Sequence, residues 1–518
     1  MSQLQETDPQ RESETAVPED EREALLTIAH GAVVTSGGVS VQRALTAATE
    51  FVLARGLGPA AYGIYALAWR IAQLLVRLVT FGSVPALQRF VPEYESEPDR
   101  RRRVVGLAYA TTIGFGAAIA AGVYVLAPWV NAVTAEEPAF VTVLRLFGGL
   151  VGLVGVVRIH ASVFRAVGSA RGEVVFSKVL YPAALLVGAV AALALSPSVV
   201  AVAGAFVASC ALVALAGFPT TAGVTGIRPA LRGIPSEARR FYNHAGPVAM
   251  SSLGKVFQAR ADILLVGWLL TTVAAGVYNV VLVLISVVWI PLLSFNMLLP
   301  PVASELYADG DVETLNAVYT AITRLIVTCV VPLIALQAVF GRELLAVFGP
   351  TYVRGYAPLV VYLGGVFVGS AVGATGWLLM MTDHQYARMA LDWLLAVLNV
   401  ALTYAFVIEF GLVGAALGTA LAIAVQNFLQ VLLLRRFEGL WPFDRTFLRP
   451  VAAGLGMVGA MLGVRMLLVG LPSVAAGGAV GVLVYVGTLY TVGVDPRDRL
   501  VARELIGRYR SVLSTRSG

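Results

Sequence analysis

The chain has 518 residues, 58% of them hydrophobic and 13% charged, and a formal net charge of +6, with a mean hydropathy of +0.81. That balance excludes a soluble globular domain. Apolar runs of about 20 residues, each long enough to cross a ~30 Å hydrocarbon layer as a helix, recur from residue 28 to residue 494, so the expected fold class is an all-α polytopic membrane protein.

In chain order, residues 1–24 form an acidic tail that is expected to be disordered and solvated, with no signal-peptide pattern. Residues 25–219 hold six predicted spans, near 28–54, 60–90, 104–128, 139–167, 174–195 and 198–219. An Arg-rich linker covers 220–240. A second set fills 241–436, near 241–269, 272–303, 317–340, 355–381, 386–408 and 411–436. Residues 437–494 add spans near 447–469 and 473–494, and residues 495–518 form a basic tail. Fourteen spans place both termini on one side. Arg100 to Arg103, Arg228, Arg232, Arg239, Arg240, Arg435 and Arg436 crowd the loops of that side, while the opposite loops hold little beyond Arg55, Arg342 and Arg354. The excess of positive charge marks the first side, and both termini, as cytoplasmic.

The chain repeats itself. A shift of about 213 residues lays Tyr62-Gly-Ile-Tyr65 over Ala275-Gly-Val-Tyr278, residues 128–140 over 342–354, and residues 200–209 over 413–422. Since that shift spans six helices, the two copies share one topology, as in parallel-repeat transporters. Two six-helix lobes around a central cavity, plus two C-terminal helices, are the expected architecture.

Ionisable groups at membrane depth are costly and usually face an interior or an aqueous lumen. On the first span Arg43 and Glu50 stand seven residues apart, two helical turns, hence on one face. Lys255 and Asp262 repeat the spacing 212 residues later. Arg70 and Arg77 on the second span, Arg158 on the fourth and Arg260 on the seventh add further bases. Guanidinium groups in a low-dielectric cavity match a phosphate or diphosphate group. Glu50 and Asp262 would tune those bases or bind a coupling cation, H+ or Na+, and Asp392 on the eleventh span is a further candidate. Salt bridging that merely locks the bundle remains the bland alternative. Tyr62 and Tyr65 are expected at the outer interfacial belt, with Arg55 as an interface anchor. Cys210 and Cys329 lie in apolar runs as packing residues, and His30, His160, His244 and His384 show no ligand spacing, so neither a metal nor another cofactor is expected. Gly254-Lys255 lacks the context of a phosphate-binding loop. No outward loop is long enough for a typical membrane glycosyltransferase site, so enzymatic activity is not expected, nor is a nucleic-acid partner.

The stretch ARGLGPAAYGIYALAWRI, residues 54–71, followed by FGSVPALQRFVPEY, residues 81–94, resembles the polysaccharide-biosynthesis flippase family, the Wzx-like branch of the multidrug/oligosaccharidyl-lipid/polysaccharide exporter superfamily. RELLAVFGPTYVRGYAPL (342–359) and GLVGAALGTALA (411–422) are similar to that family's second-lobe patterns. The resemblance implies two six-helix lobes, alternating access and export of a lipid-linked oligosaccharide on an undecaprenyl or dolichyl carrier by a monomer acting beside glycan-assembly enzymes. The related lipid II flippases carry a base and an acid on the first helix and an arginine on the second. The resemblance maps these onto Arg43, Glu50 and Arg77, with a departure at Thr49, where the family's pattern has a base. A cation-coupled drug or metabolite antiporter of the same superfamily, a membrane-embedded glycosyltransferase and a non-transporting scaffold are the rival readings.

Overall fold

A computed structural model describes residues 18–134, 136–230, 237–246, 249, 261–296, 299–493, 495 and 497. Among these, every regular element is helical. The first half comprises α1 (Glu19–Leu75), α2 (Ser83–Glu93), α3 (Pro98–Val133), α4 (Pro138–Ala166), α5 (Ala170–Val174), a π-helical turn (Val175–Leu180), α6 (Tyr181–Leu195) and α7 (Val199–Thr225). The second half comprises α8 (Ala261–Leu269), α9 (Thr272–Val288), α10 (Ile290–Asn296), α11 (Leu299–Ala308), α12 (Val312–Phe348), a 3-10 turn (Pro350–Gly355), α13 (Tyr356–Ala371), α14 (Thr375–Met381) and α15 (Gln385–Glu438). Two more helices follow, α16 (Leu448–Leu467) and α17 (Leu471–Val492).

Ten helices of the described residues are long and apolar enough to cross a membrane, or eleven when α9 and the Ile290–Ala308 stretch, bent by 48°, count as one. Two of these helices double back on themselves. In a straight helix residues 50 and 62 stand about 18 Å apart along the axis, yet Tyr62 Oη lies 2.7 Å from Glu50 Oε2. The reversal in α1 falls at Gly58, whose φ of 75° and ψ of 169° only glycine adopts readily. Likewise Gln426 Nε2 reaches Asp392 Oδ1 at 2.9 Å because α15 reverses at Gly411. The expected set of fourteen is not completed by the described residues, since the span near 241–269 lies partly outside them.

Helix ends follow local chemistry. Ser198, Thr271 and Asp311 side chains accept from backbone N–H groups at the starts of α7, α9 and α12. Left-handed Gly226 and Gly439 close α7 and α15. Two predicted spans are not continuous. The span expected at 60–90 breaks between Leu75 and Ser83, with Phe81 and Gly82 both at positive φ, and the span expected at 272–303 bends at Trp289. The linker expected from 220 starts later, because α7 runs on to Thr225.

The repeat is visible in three dimensions. Gly63 and its equivalent Gly276 lie where the second arm of α1 crosses α9. A Cβ at Gly63 would sit 1.7 Å from the Thr272 carbonyl oxygen, and one at Gly276 would sit 2.6 Å from the Pro59 oxygen. Two glycines of a parallel repeat touch in this way at the axis relating the copies, and the absent side chains let the backbones meet. Nearby, Tyr352 donates to the Ala54 carbonyl at 3.0 Å and Arg55 to the Val347 carbonyl at 3.1 Å. The lobes are therefore closed against each other at the end carrying the Gly58 turn, here the hairpin end. Arg100 to Arg103 and residues 226–230 mark the opposite, linker end, where Ala230 N donates to the Arg102 carbonyl at 3.0 Å.

Candidate functional site: a cationic chamber in the first lobe

A chamber of about 390 Å³ lies between both arms of α1, α4, the π-helical turn, α6 and α7. The α1 arms contribute a polar face at Gln42, Thr46, Thr49 and Glu50 from the first and Trp69 and Gln73 from the second, and Arg77 follows four residues after Gln73, just past the end of the helix. A second cavity of about 360 Å³ continues toward the linker end, between the break after α1, α2, α4 and α5. Arg158, Ser177 and Lys178 line both cavities and so form their junction. The break supplies Val76 and Arg77 to the first chamber and Thr80 and Gly82 to the second. Irregular backbone at membrane depth is tolerated where it lines such a lumen.

The sequence-predicted residues fall into distinct places. Glu50 is buried and lines the chamber; it accepts from Tyr62 Oη at 2.7 Å and from Asn279 Nδ2 of the other lobe at 3.2 Å, and Tyr65 Oη stands at 3.5 Å. Tyr62 and Tyr65 are thus buried in the core, correcting their expected place at the interfacial belt. Arg70 joins the same network: it donates to Asn279 Oδ1 at 2.9 Å and to Gln73 Oε1 at 3.0 Å. Arg55, expected as an interface anchor, instead ties the lobes together. Arg77 and Arg158 both face the chamber and are electrostatic neighbours. Arg158 also donates to the Val76 carbonyl at 3.1 Å, the oxygen left where α1 unwinds.

Arg43 is half-buried on the first arm, among the charged neighbours of Lys178. Asp262 is buried and accepts from Tyr278 Oη at 3.1 Å, repeating the pairing of Glu50 with the Tyr62–Tyr65 pair. Asp392 pairs with Arg388 at 2.9 Å and with Gln426 on the returning arm of α15, outside both cavities. Lys255 and Arg260 lie outside the described residues.

Two participants were not among the predicted site residues. Lys178 projects from the π-helical turn into the junction, and π-turns inside α-helices recur at functional sites. It is one of only two lysines in the chain, a signal that could have singled it out. Asn279 bridges Glu50 and Arg70 across the lobe interface, and a lone amide in an apolar run gives no such signal.

Two internally repeated helical lobes, with ionisable side chains around a lumen at membrane depth, define a multi-pass membrane protein of the transporter class. Residues 52–353 match the family described as polysaccharide biosynthesis protein, and the chain belongs to that family. A protein of Haloferax volcanii, the probable low-salt glycan biosynthesis flippase Agl15, is 26% identical over 202 residues, 39% of this chain and 43% of its own length, so the match spans less than half of that relative. Among solved structures, the lipid II flippase MurJ in an inward closed conformation superposes with a TM-score of 0.70 at 13% identity, covering 88% of this chain and 98% of that one. An inward-facing multidrug resistance MATE family transporter of the MOP superfamily gives 0.63 at 16% identity, covering 79% and 98%. At these identities the likeness establishes the fold.

Proposed function

We propose that the protein is a flippase that moves a glycan linked to a polyprenyl phosphate or diphosphate across the cytoplasmic membrane, without covalent chemistry. The observation that carries this reading is the grouping of Arg77, Arg158 and Lys178 around one lumen of about 390 Å³. Guanidinium and ammonium groups in a low-dielectric lumen favour phosphate over neutral or cationic cargo. The headgroup would occupy this chamber while the lipid tail, undecaprenyl or dolichyl, stays in the bilayer. Family membership and the likeness to the probable low-salt glycan biosynthesis flippase of Haloferax volcanii support a role in cell-surface glycan assembly. The arginine excess at the linker end supports placing that end, and both termini, in the cytoplasm; the closed hairpin end would then seal the outside. Glu50, hydrogen-bonded from both lobes, is the proposed point at which a coupling H+ or Na+ acts, with Asp262 as its counterpart in the second lobe.

The test is translocation of a fluorescent polyprenyl-linked sugar in vesicles reconstituted with the full chain. The native protein should flip the reporter, and Arg77→Ala should slow it at least tenfold while inserting normally. Equal rates for the two proteins would remove the chamber from the transport path. No flipping under any ion gradient would refute the function.

A further inference from the structure

The chamber is chemically two-sided, and the sides are built by different elements. At the junction, Arg158 and Lys178 are the cations, and Ser177 lies beside them with its hydroxyl donated to the Glu173 carbonyl at 2.8 Å. A helix presents neighbouring residues about 100° apart, and the π-helical geometry of Val175–Leu180 turns both Ser177 and Lys178 toward the lumen. Arg158 is fixed by its bond to the Val76 carbonyl, which leaves its other N–H groups as donors.

Away from the junction the wall changes character. Trp69, Gln73 and Glu50 line the chamber alone and take no part in the second cavity. Trp69 is stacked by Tyr65, with ring centroids 6.0 Å apart, which leaves at most its opposite face for a ligand, and is packed in T-shaped geometry by Phe147 and Phe206 at 5.4 and 5.7 Å. Gln73 has its oxygen occupied by Arg70, so it offers amide N–H groups. A carboxylate accepts about four hydrogen bonds, so Glu50 retains one acceptor position beyond its bonds from Tyr62, Tyr65 and Asn279. An indole face beside an amide donor and a carboxylate acceptor is the chemistry that holds a pyranose ring, which has apolar C–H faces and a rim of hydroxyls. The volume of about 390 Å³ lies at the small end of the ~300–1,000 Å³ range of ligand pockets. It admits a sugar phosphate and excludes a long glycan.

We infer that the chamber reads a sugar phosphate through two subsites: Arg158 and Lys178 hold the phosphate at the junction, and Trp69, Gln73 and Glu50 hold the sugar directly attached to it. Selectivity then rests on the lipid-proximal sugar, and sugars farther along the glycan go unread in this chamber. The inference rests on the proposed function only in taking the cargo to be a phosphate-linked sugar.

Calorimetric titration of the full chain in detergent, with inorganic phosphate and with a hexose 1-phosphate as probes, tests it. The native protein should bind the hexose 1-phosphate at least tenfold more tightly than phosphate. Lys178→Met should weaken both probes by about tenfold, and Lys178→Arg should restore them. Trp69→Leu should weaken the hexose 1-phosphate alone and abolish the preference. Equal loss of both probes in Trp69→Leu would mean that Trp69 only supports the fold. No preference in the native protein, or no binding of either probe at millimolar concentration, would overturn the two subsites. Vesicle flipping, read separately, distinguishes the two proposals: two-subsite binding without flipping would sink the transport reading alone, and flipping with binding insensitive to Trp69→Leu and Lys178→Met would sink the subsites alone.

Discussion

Asn279 occupies a position that its own segment of sequence does not advertise. It lies in an apolar run on α9, yet its amide donates to Glu50 and accepts from Arg70, joining two charges of the first lobe through one residue of the second. Arg324 on α12 does comparable work in the second lobe, where it is 1% exposed. It pairs with Asp444 in the loop after α15, with Asp495 beyond α17 at 3.1 Å, and with the Thr446 hydroxyl at 2.6 Å. Burial disfavours the charge of Asp444, but the Thr446 hydroxyl and N–H and the Arg324 guanidinium outweigh it and hold the carboxyl below its ordinary range. A folded pKa below the unfolded one means that the pairing stabilises fully above about pH 4 and is lost as pH falls through the folded value. Arg324→Met should therefore cost roughly 3–5 kcal/mol at neutral pH. The deficit against the native protein should shrink below about pH 4, read from thermal melts in detergent; a deficit constant with pH would exclude the pairing.

At the scale of elements, breaks and reversals shape the protein, and arginines tend them. Arg158 donates to Val76 where α1 unwinds, Arg465 to Val339 beside the non-helical Phe340 of α12, and Arg55 to Val347 at the end of that helix. Each carbonyl loses a helical partner and regains one from a distant helix, as buried backbone groups must. The sequence admits two readings of Arg70 and Arg158 on equal terms, as phosphate ligands or as side chains paired with backbone or headgroups. In the structure each holds part of the scaffold, Arg70 through Asn279 and Arg158 through the Val76 carbonyl. The Gly58 reversal has no side-chain component, because a Cβ there would meet nothing within 4 Å. Gly58→Ala should then cost only the backbone strain of its φ and ψ, roughly 1–3 kcal/mol. The measurement is the melting temperature, and no change would mean that the turn relaxes freely.

At the scale of the molecule, the lobes meet through glycine. Because a Cβ at Gly63 would fall 1.7 Å from the Thr272 oxygen, Gly63→Val cannot keep the hairpin end closed. In a background lacking Cys210 and Cys329, a cysteine at Ala54, buried beneath Tyr352, should resist a membrane-impermeant maleimide. Adding Gly63→Val should make it react at least tenfold faster. Protection that survives the substitution would show that the glycine contact does not control closure. The two C-terminal helices belong to the second lobe in this frame. Arg465 pairs with Glu343 at 2.9 Å toward one end and Arg324 holds the other, so ion pairs tie α16 and α17 to α12 at both ends.

Much of this was legible in the sequence, because hydropathy is a one-dimensional property of the chain. The membrane class, the order of the spans, the breaks between 54 and 60 and between 408 and 411, and the parallel repeat follow from runs of apolar residues and a shift of 213. Glu50, Arg77 and Arg158 could be singled out because charge at membrane depth is costly. Which partner each charge meets was decided only by the tertiary structure. Hydropathy places Tyr62 and Tyr65 at a membrane surface, whereas folding buries them against Glu50. It treats the 60–90 segment as one helix, whereas Arg158 and a positive-φ Gly82 sustain the break that shapes two cavities. Lys178 joins the chamber through the local winding of a π-turn, and Asn279 joins Glu50 to Arg70 across a contact 229 residues long in sequence. Sequence period fixes which residues share a helix face; which face meets which depends on how distant backbones pack, and here that packing depends on two glycines brought together by the repeat.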